Sequence, residues 1–546
     1  MNRSGLTVLS LTTLLGSLLV TPAGQAQTVT GEALANAVAL PVFNVDTSGT
    51  SILGRADEMA LEMHRRRVMP VLDTEAVSVP EADMDVTPNL DIDLDGEMMP
   101  EMSPETMPEM SPEAMSPAEI SAVDFYNQGV GFYNEEDYAR AVTSFSAAVS
   151  VDGNYAAAYV FRAAAKLAMG DPTAAMADYS TAIYVEPAYP LAHYSRGALF
   201  YEMGELASAM EDFEQAIALN PVYVEAYDYL GLSESAIGNH EMALAHFASA
   251  ITIDPEYAPA HMHRGVALIE LREYETAIAP LSTAIDLDAD YVEAYINRGV
   301  AYYRLGTFPA ALDNLNEALD IDSGSTEAYY NRSYIYASLG RPNDAIRDIN
   351  TVLAQQPDSV EAYMARGTLH SSQGNNAAAI ADFNRVLELD INSCEAYQQR
   401  AVARLDSDNI IDALDDYSSA ITLDPVNEGV YKGRADAYAI YGDLPAAIAD
   451  YTYAIELDNT YTAAYAARGR SLYESGAAHG AYQDFTHVIR QTPAAHADVY
   501  YYRGLTLVEL GDPFGAQNDL QAAADRYLQT GEANGYRAVL QEMSQL

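Results

Sequence analysis

A period of 34 residues governs most of this chain. From Ala122 to Thr530 one pattern returns twelve times. Position 20 of every copy is alanine: Ala141, Ala175, Ala209, Ala243, Ala277, Ala311, Ala345, Ala379, Ala413, Ala447, Ala481 and Ala516. The copies begin at Ala122, Ala156, Pro190, Val224, Ala258, Val292, Thr326, Val360, Cys394, Glu428, Thr462 and Ala497, the last displaced by the extra His496. A unit of this size cannot bury a core alone. Tandem units must therefore stack and share one, each touching only its neighbours.

Each conserved offset carries a physical demand. Position 8 is Gly, Ala or Ser, position 24 is large and apolar or aromatic, and position 4 is aromatic or His. Positions 4, 8 and 11 share one face of a helix, and positions 20, 24 and 27 share one face of a second. Small residues at 8 and 20 let the two helices approach, and the bulky residue at 24 fills the space beside them. A glycine near position 15, as in Gly170 and Gly204, ends the first helix. Position 32 is proline in six copies, Pro187, Pro221, Pro255, Pro357, Pro425 and Pro493, and Asp-Pro or Asn-Pro around positions 31–32, as at Pro221, Pro255 and Pro425, ends the second. Each copy is thus predicted to be a helical hairpin.

The pattern resembles the tetratricopeptide repeat, and Tyr295-Ile296-Asn297-Arg298-Gly299 matches a common variant of its first helix. The resemblance covers 122–530 and implies an all-α fold, a right-handed α-solenoid of about twelve hairpins. Residues 531–546, with Tyr536, Val539, Leu540 and Met543 on one face, read as a capping helix. In this family the first helices line a concave groove at positions such as 2, 5, 9 and 12. The resemblance therefore implies a partner-binding groove containing Tyr126, Tyr133, Tyr194, Tyr201, Tyr303, Tyr330, Tyr334, Tyr473 and Tyr501. Val130, Leu199, Val266, Ile269, Ile296 and Val300 lie at or beside the same positions. Tyrosine offers large contact area with a polar tip, although packing against the next repeat would use these rings equally well. Chaperone-docking relatives grip terminal carboxylates with basic residues. Here only Lys432, Arg470 and Arg304 are scattered near the groove, so peptide segments with apolar or aromatic anchors are the expected partners. Self-association through surface tyrosines stays open.

A second pattern runs through the repeats. Position 7 is arginine in ten copies and position 23 aspartate in eight, and every copy with the aspartate has the arginine. This predicts structural ion pairs Arg162–Asp178, Arg196–Asp212, Arg332–Asp348, Arg366–Asp382, Arg400–Asp416, Arg434–Asp450, Arg468–Asp484 and Arg503–Asp519, within a hairpin or across to the next. The competing reading is an arginine ladder for an anionic ligand.

Charge excludes several functions. There are 79 acidic and 28 basic residues, a formal net charge of −51, and Lys166 and Lys432 are the two lysines. Such a surface repels nucleic acid and anionic membranes. It suits a saline environment or serves the solubility of a long surface. No Gly-rich phosphate loop, paired cysteines or histidines at metal spacing occur in the repeats. His261 and His263 are two residues apart, which splits them between helix faces. The repeats are therefore expected to be non-enzymatic and to need no cofactor.

The N-terminus differs. Arg3 followed by the apolar run Leu6–Val20 and the small residues of Gly24-Gln25-Ala26 read as a signal peptide over 1–26. That implies export to the periplasm, a lumen or the exterior of a bacterium, without membrane insertion of the mature chain. The lone Cys394 cannot form an internal disulfide, which fits a bacterial exported protein. Residues 27–121 read as a disordered Met/Pro/Glu-rich acidic linker. Within it, Ala56–Val68 is a short helical stretch carrying the basic run His64-Arg65-Arg66-Arg67. Asp91, Asp93, Asp95 and Gly96 resemble the start of an EF-hand calcium loop, but Met102 stands where its bidentate Glu belongs. Met98, Met99, Met102, Met107, Met110 and Met115 could offer thioethers to Cu(I), and expansion of a Met-Pro-Glu unit explains them as well. The resulting expectation is a protein–protein interaction scaffold or assembly factor in the cell envelope. The alternatives are an envelope or polysaccharide-export scaffold with a glycan ligand, or a metal-responsive protein acting through the linker.

Overall fold

The computed structural model describes residues 121–492 and 496–546. The signal peptide, the linker and the calcium, copper and basic motifs assigned to them lie outside the described residues, as does Pro493. Among the described residues there are 25 helices and no strands. They divide between two compact units that meet in sequence at Ala289 and Asp290.

The first unit holds five hairpins: α1 (Ala122–Asn134) with α2 (Tyr138–Val151), α3 (Ala156–Ala168) with α4 (Pro172–Val185), α5 (Pro190–Glu202) with α6 (Leu206–Leu219), α7 (Val224–Ala236) with α8 (His240–Ile253), and α9 (Ala258–Glu270) with α10 (Tyr274–Leu287). The second holds seven: α11 (Val292–Arg304) with α12 (Phe308–Ile321), α13 (Thr326–Ser338) with α14 (Pro342–Gln355), α15 (Val360–Ser372) with α16 (Asn376–Leu389), α17 (Cys394–Leu405) with α18 (Ile410–Leu423), α19 (Glu428–Tyr441) with α20 (Leu444–Leu457), α21 (Thr462–Glu474) with α22 (Ala478–Gln491), and α23 (Ala497–Glu509) with α24 (Pro513–Thr530). The cap α25 (Ala533–Met543) follows. Every hairpin starts at the residue where the sequence period places the start of a copy. Each unit is all-α, a solenoid in which helices pack on their chain neighbours. No described helix is long and apolar enough to cross a membrane.

The turn inside each hairpin needs a left-handed residue at position 15. Nine are glycines with φ between 67° and 92°, and three are Glu136, Arg272 and Asp408 at φ 61°, 62° and 58°. At Gly170 the following amide, of Asp171, reaches back to the Lys166 carbonyl at 3.0 Å and closes the helix end.

Between the paired helices, all twelve position-20 alanines are fully buried. Position 8 then meets position 24. A Cβ placed on Gly129, Gly231 or Gly367 would stand 2.6, 2.5 or 2.6 Å from the ring of Phe145, Phe247 or Phe383. Where position 8 is alanine, position 24 is tyrosine, as in Ala163 with Tyr179, Ala401 with Tyr417 and Ala435 with Tyr451. The Tyr417 ring leans onto Gly433 of the next hairpin, where an added Cβ would lie 2.6 Å from it. That leaves Ala401 its methyl.

On the cap helix, Val539 is fully buried, and Tyr536 and Met543 pack on the last hairpin's core. Leu540, expected on the same face, is exposed. It sits one residue on from Val539, a 100° turn away from the buried side.

Candidate functional site

Eight hairpins carry the same polar staple. In each, Nε and Nη2 of the position-7 arginine donate to both carboxylate oxygens of the position-23 aspartate, at 2.6–3.0 Å. These are the pairs Arg162–Asp178, Arg196–Asp212, Arg332–Asp348, Arg366–Asp382, Arg400–Asp416, Arg434–Asp450, Arg468–Asp484 and Arg503–Asp519. The third nitrogen, Nη1, crosses to position 25 of the preceding hairpin. It donates to Asn316, Asn350 and Asn384 at 2.8, 2.6 and 2.6 Å from Arg332, Arg366 and Arg400. From the other arginines it reaches Ser146, Ser180, Ser418, Thr452 and Thr486 at 3.1–3.4 Å. The pairing expected within a hairpin or across to the next one is therefore both at once. Sequence reasoning missed the acceptor at position 25, although its run of Ser, Asn and Thr was there to be read.

The position-4 tyrosine completes the staple. Arg162, Arg332, Arg366, Arg400, Arg434, Arg468 and Arg503 lie over Tyr159, Tyr329, Tyr363, Tyr397, Tyr431, Tyr465 and Tyr500 at 5.2–5.9 Å. Its hydrogen bonds to Asp382 hold the Arg366 guanidinium's proton more firmly than usual. These guanidiniums are spoken for, and they do not form a ladder open to an anionic ligand.

The staple changes in hairpins 4 to 6. Arg298 bonds Asn314 at 2.7 Å in place of an aspartate. Hairpin 4 has Leu230 instead of the arginine. It is tied to hairpin 5 by His263 Nδ1, 2.9 and 3.1 Å from the two oxygens of buried Asp228. His261, at position 4, is buried against the Pro255 carbonyl at 3.0 Å. Arg264 is exposed opposite Pro280.

The nine tyrosines assigned to a groove separate into two groups. Tyr126, Tyr133, Tyr330 and Tyr334 are buried in the packing between hairpins. Tyr126 lies tilted against Tyr155 at 5.1 Å and edge-on to Phe161 at 5.6 Å, and the Tyr330 hydroxyl donates to the Glu361 carbonyl at 3.3 Å. These four are core residues, because each ring meets buried neighbours rather than solvent: Phe161 for Tyr126 and Tyr133, and each other for Tyr330 and Tyr334. Tyr194, Tyr201, Tyr303, Tyr473 and Tyr501 keep part of their surface. Of these, Tyr194 lies tilted against Tyr223 at 5.0 Å and Tyr201 meets Tyr229 edge-on at 5.8 Å. The Tyr303 hydroxyl lies 3.1 Å from Ser338 Oγ. Beside it, Gly299, Val300, Leu315, Asn331 and Tyr334 line a shallow crevice with no enclosed space for a drug-like ligand.

Accessible aromatic and charged groups converge at the C-terminal end of the second unit, on the first helices α19, α21 and α23. Lys432 Nζ donates to Asp436 at 2.7 Å, and the Tyr451 hydroxyl donates to the same carboxylate at 2.6 Å. Burial works against the Lys432 charge, and Asp436 more than restores it. On α21, exposed Arg470 pairs with Glu474 at 2.9 Å and lies over the Tyr502 ring at 5.2 Å. Tyr502 is flanked edge-on by Tyr473 at 6.0 Å and Tyr501 at 5.4 Å. Asp498 accepts from the Tyr527 hydroxyl below them. Burial raises the Tyr473 and Tyr501 hydroxyls, Glu542 raises both further and Glu509 raises Tyr473, so both stay neutral donors. The face thus offers three adjoining rings, a guanidinium and several carboxylates. Among the described residues no cluster of three metal-ligating side chains occurs. Cys394 is half-buried, donates weakly to the Ala420 carbonyl at 3.5 Å and has its thiol pushed up by burial.

Known families match this architecture. A profile described as TPR repeat matches residues 163–204 and 267–306, and profiles described as tetratricopeptide repeat match 190–223 and 330–393. The chain is a tetratricopeptide repeat protein. Yeast Tom70 is 15% identical over 78% of this chain and 96% of its own, with a TM-score of 0.37. The Cut9–Hcn1 hetero-tetramer of the APC/C is 12% identical over 78% and 99%, with a TM-score of 0.40. A tetratricopeptide repeat protein from Parabacteroides merdae is 22% identical over 45% and 97%, with a TM-score of 0.36. No curated protein matches. The repeats make the chain a protein–protein interaction scaffold, a role in which such arrays are typically not catalysts.

Proposed function

We propose that this scaffold works in the bacterial cell envelope and docks peptide segments on the first-helix face of hairpins 10–12. The observation that carries the reading is the Arg470–Tyr502 stack with Tyr473 and Tyr501 beside it. Aromatic rings and a guanidinium in one half-open cluster are the residue types that dominate binding energy at interfaces. The flanking carboxylates Glu474 and Asp436 favour basic residues beside the partner's apolar anchors. The signal-like leader supports export.

The test compares the wild-type chain with an Arg470→Ala, Tyr501→Ala variant. Both are expressed in the host, crosslinked gently and captured from the envelope fraction. The expected result is a small set of proteins held by the wild type and lost from the variant, with helix content unchanged. A capture that the variant leaves intact, or a chain recovered only from the cytoplasm, would refute the reading. Captured material that resists protease would instead point to a glycan.

A further inference from the structure

The turns of the first unit carry a feature that core packing does not use. Position 14, just before the left-handed turn residue, is Met169, Met203 and Ile237 in hairpins 2, 3 and 4, exposed by 56%, 54% and 48%. Hairpin 5 has half-buried Leu271 at the same place. Single exposed apolar side chains are ordinary. Here the same turn presents one in successive hairpins, whose packed helices are spaced by roughly 10 Å, so the side chains form a row.

The charge beside the row is acidic. Position 16, two residues on, is Asp171 in hairpin 2, Glu205 in hairpin 3 and Glu273 in hairpin 5, with Arg272 the exception in that stretch. The corresponding turns of the second unit differ. Leu305 and Leu339 are flanked there by Arg304 and Arg341, Gln373, Ser407 and Ser475 are polar, and exposed Tyr441 beside Asp443 has no apolar neighbour at the adjoining turns, so no acidic-flanked row forms. The first-unit row therefore selects an occupant that is apolar and cationic.

The chain itself contains such a segment. Ala56–Val68 has Met59 and Met63 four residues apart; Asp57, Glu58 and Glu62 balance its formal charge, but they all precede His64-Arg65-Arg66-Arg67, the densest basic run in the sequence, so its C-terminal half is cationic. About fifty residues join Val68 to Ser121; a flexible chain of that length would span roughly 40 Å, and prolines and like charges lengthen such a reach. With packed helices roughly 10 Å apart, three hairpins of stacking fall within that reach. We propose that Ala56–Val68 docks in cis on the row of Met169, Met203 and Ile237, its methionines on the apolar side chains and its arginines against Asp171 and Glu205. This contact is independent of the docking face on hairpins 10–12. It would fold the N-terminal segment back onto the first unit until a competing apolar, basic segment displaces it.

The probe is a fluorescent peptide of residues 52–72, titrated into the full chain at low salt. Three proteins are compared: wild type, Arg65→Ser/Arg66→Ser/Arg67→Ser, and that variant with Met203→Glu and Ile237→Glu added. A tethered competitor acts at an effective concentration near millimolar, so the triple variant should bind the peptide about tenfold or more tightly than wild type. That binding should weaken as salt screens the arginines, and disappear with the glutamates in the row. Circular dichroism and the milder Met203→Gln, Ile237→Gln pair separate loss of the row from loss of fold. Equal affinity for wild type and triple variant, including none for either, overturns the proposal. So does binding that survives both sets of row substitutions in a folded chain.

Discussion

Arg400 holds Asp416 with both ends of its fork, Nε at 3.0 Å from Oδ2 and Nη2 at 2.6 Å from Oδ1. The third nitrogen reaches Asn384 of the preceding hairpin at 2.6 Å. One side chain therefore fixes two relationships: how a hairpin's helices face each other, and how that hairpin sits on the one before it.

Removing the arginine of such a staple should strand a mostly buried carboxylate. Arg366→Met leaves Asp382 without its partner, and a loss of roughly 2–4 kcal/mol of local stability is expected. Hydrogen exchange is the suitable readout, because a repeat array need not unfold in two states. Amides of α14, α15 and α16 should exchange faster, while α20 to α24 keep their protection. The double variant Arg366→Met, Asp382→Leu should recover most of the loss. Unchanged exchange in the single variant would show that the pair has no structural weight.

The packing of position 8 against position 24 predicts opposite outcomes for one substitution at two sites. At Gly367 a methyl would lie 2.6 Å from the Phe383 ring, and Gly367→Ala should destabilise by about 1–3 kcal/mol. At Gly299 the nearest atom of Leu315 is 3.2 Å away. There the gain in helix propensity, up to about 1 kcal/mol, should offset the small adjustment. Thermal melts of the two variants, which should shift in different directions or by clearly different amounts, test this.

Three turns pay a conformational penalty that the other nine avoid. Arg272→Gly and Asp408→Gly should each stabilise the chain by up to about 1 kcal/mol, since both residues sit at φ near 60°. Glycine at a helical position would have the reverse effect. A lower melting temperature in either variant would mean that the native side chain supplies a contact worth more than the strain.

Burial lowers the pKa of His370 below its usual 6.5, and its Nδ1 is buried without a partner. The unfolded chain then takes up the proton before the folded one does. Its contribution is complete above about pH 6.5 and is lost as pH falls toward the folded value. Exchange protection of α15 and α16 should accordingly decline between pH 7.5 and pH 5.5, and His370→Gln should flatten that decline. An unaltered pH profile in the variant would assign the decline to other groups.

The hairpins were legible in sequence because their demands are local and recur. A buried alanine at position 20 and a left-handed residue at position 15 repeat at fixed offsets, and the helix boundaries follow. The pairing of Arg162 with Asp178 was legible too, through the joint occurrence of the two residue types. The groove was less so. Tyr126 and Tyr501 both stand at position 5, yet one ring is packed under its neighbours and the other keeps open surface. What separates them is the residue opposite, Tyr155 and Phe161 in one case, and such partners are set by the stacking of hairpins rather than by position within a repeat.

Hairpin 4 departs from the staple on both sides. Leu230 sends no arm to hairpin 3, and Ala248 gives Arg264 of hairpin 5 nothing to hold at position 25. The bond between buried Asp228 and His263 is what remains on one flank. Tyr229 does pack on Tyr194, Tyr201 and Phe213 of hairpin 3, at 5.6–5.8 Å. Ring contacts of that kind allow sliding where a bidentate staple fixes one register, so bending of the first unit should concentrate as pivoting at hairpin 4 rather than as rupture.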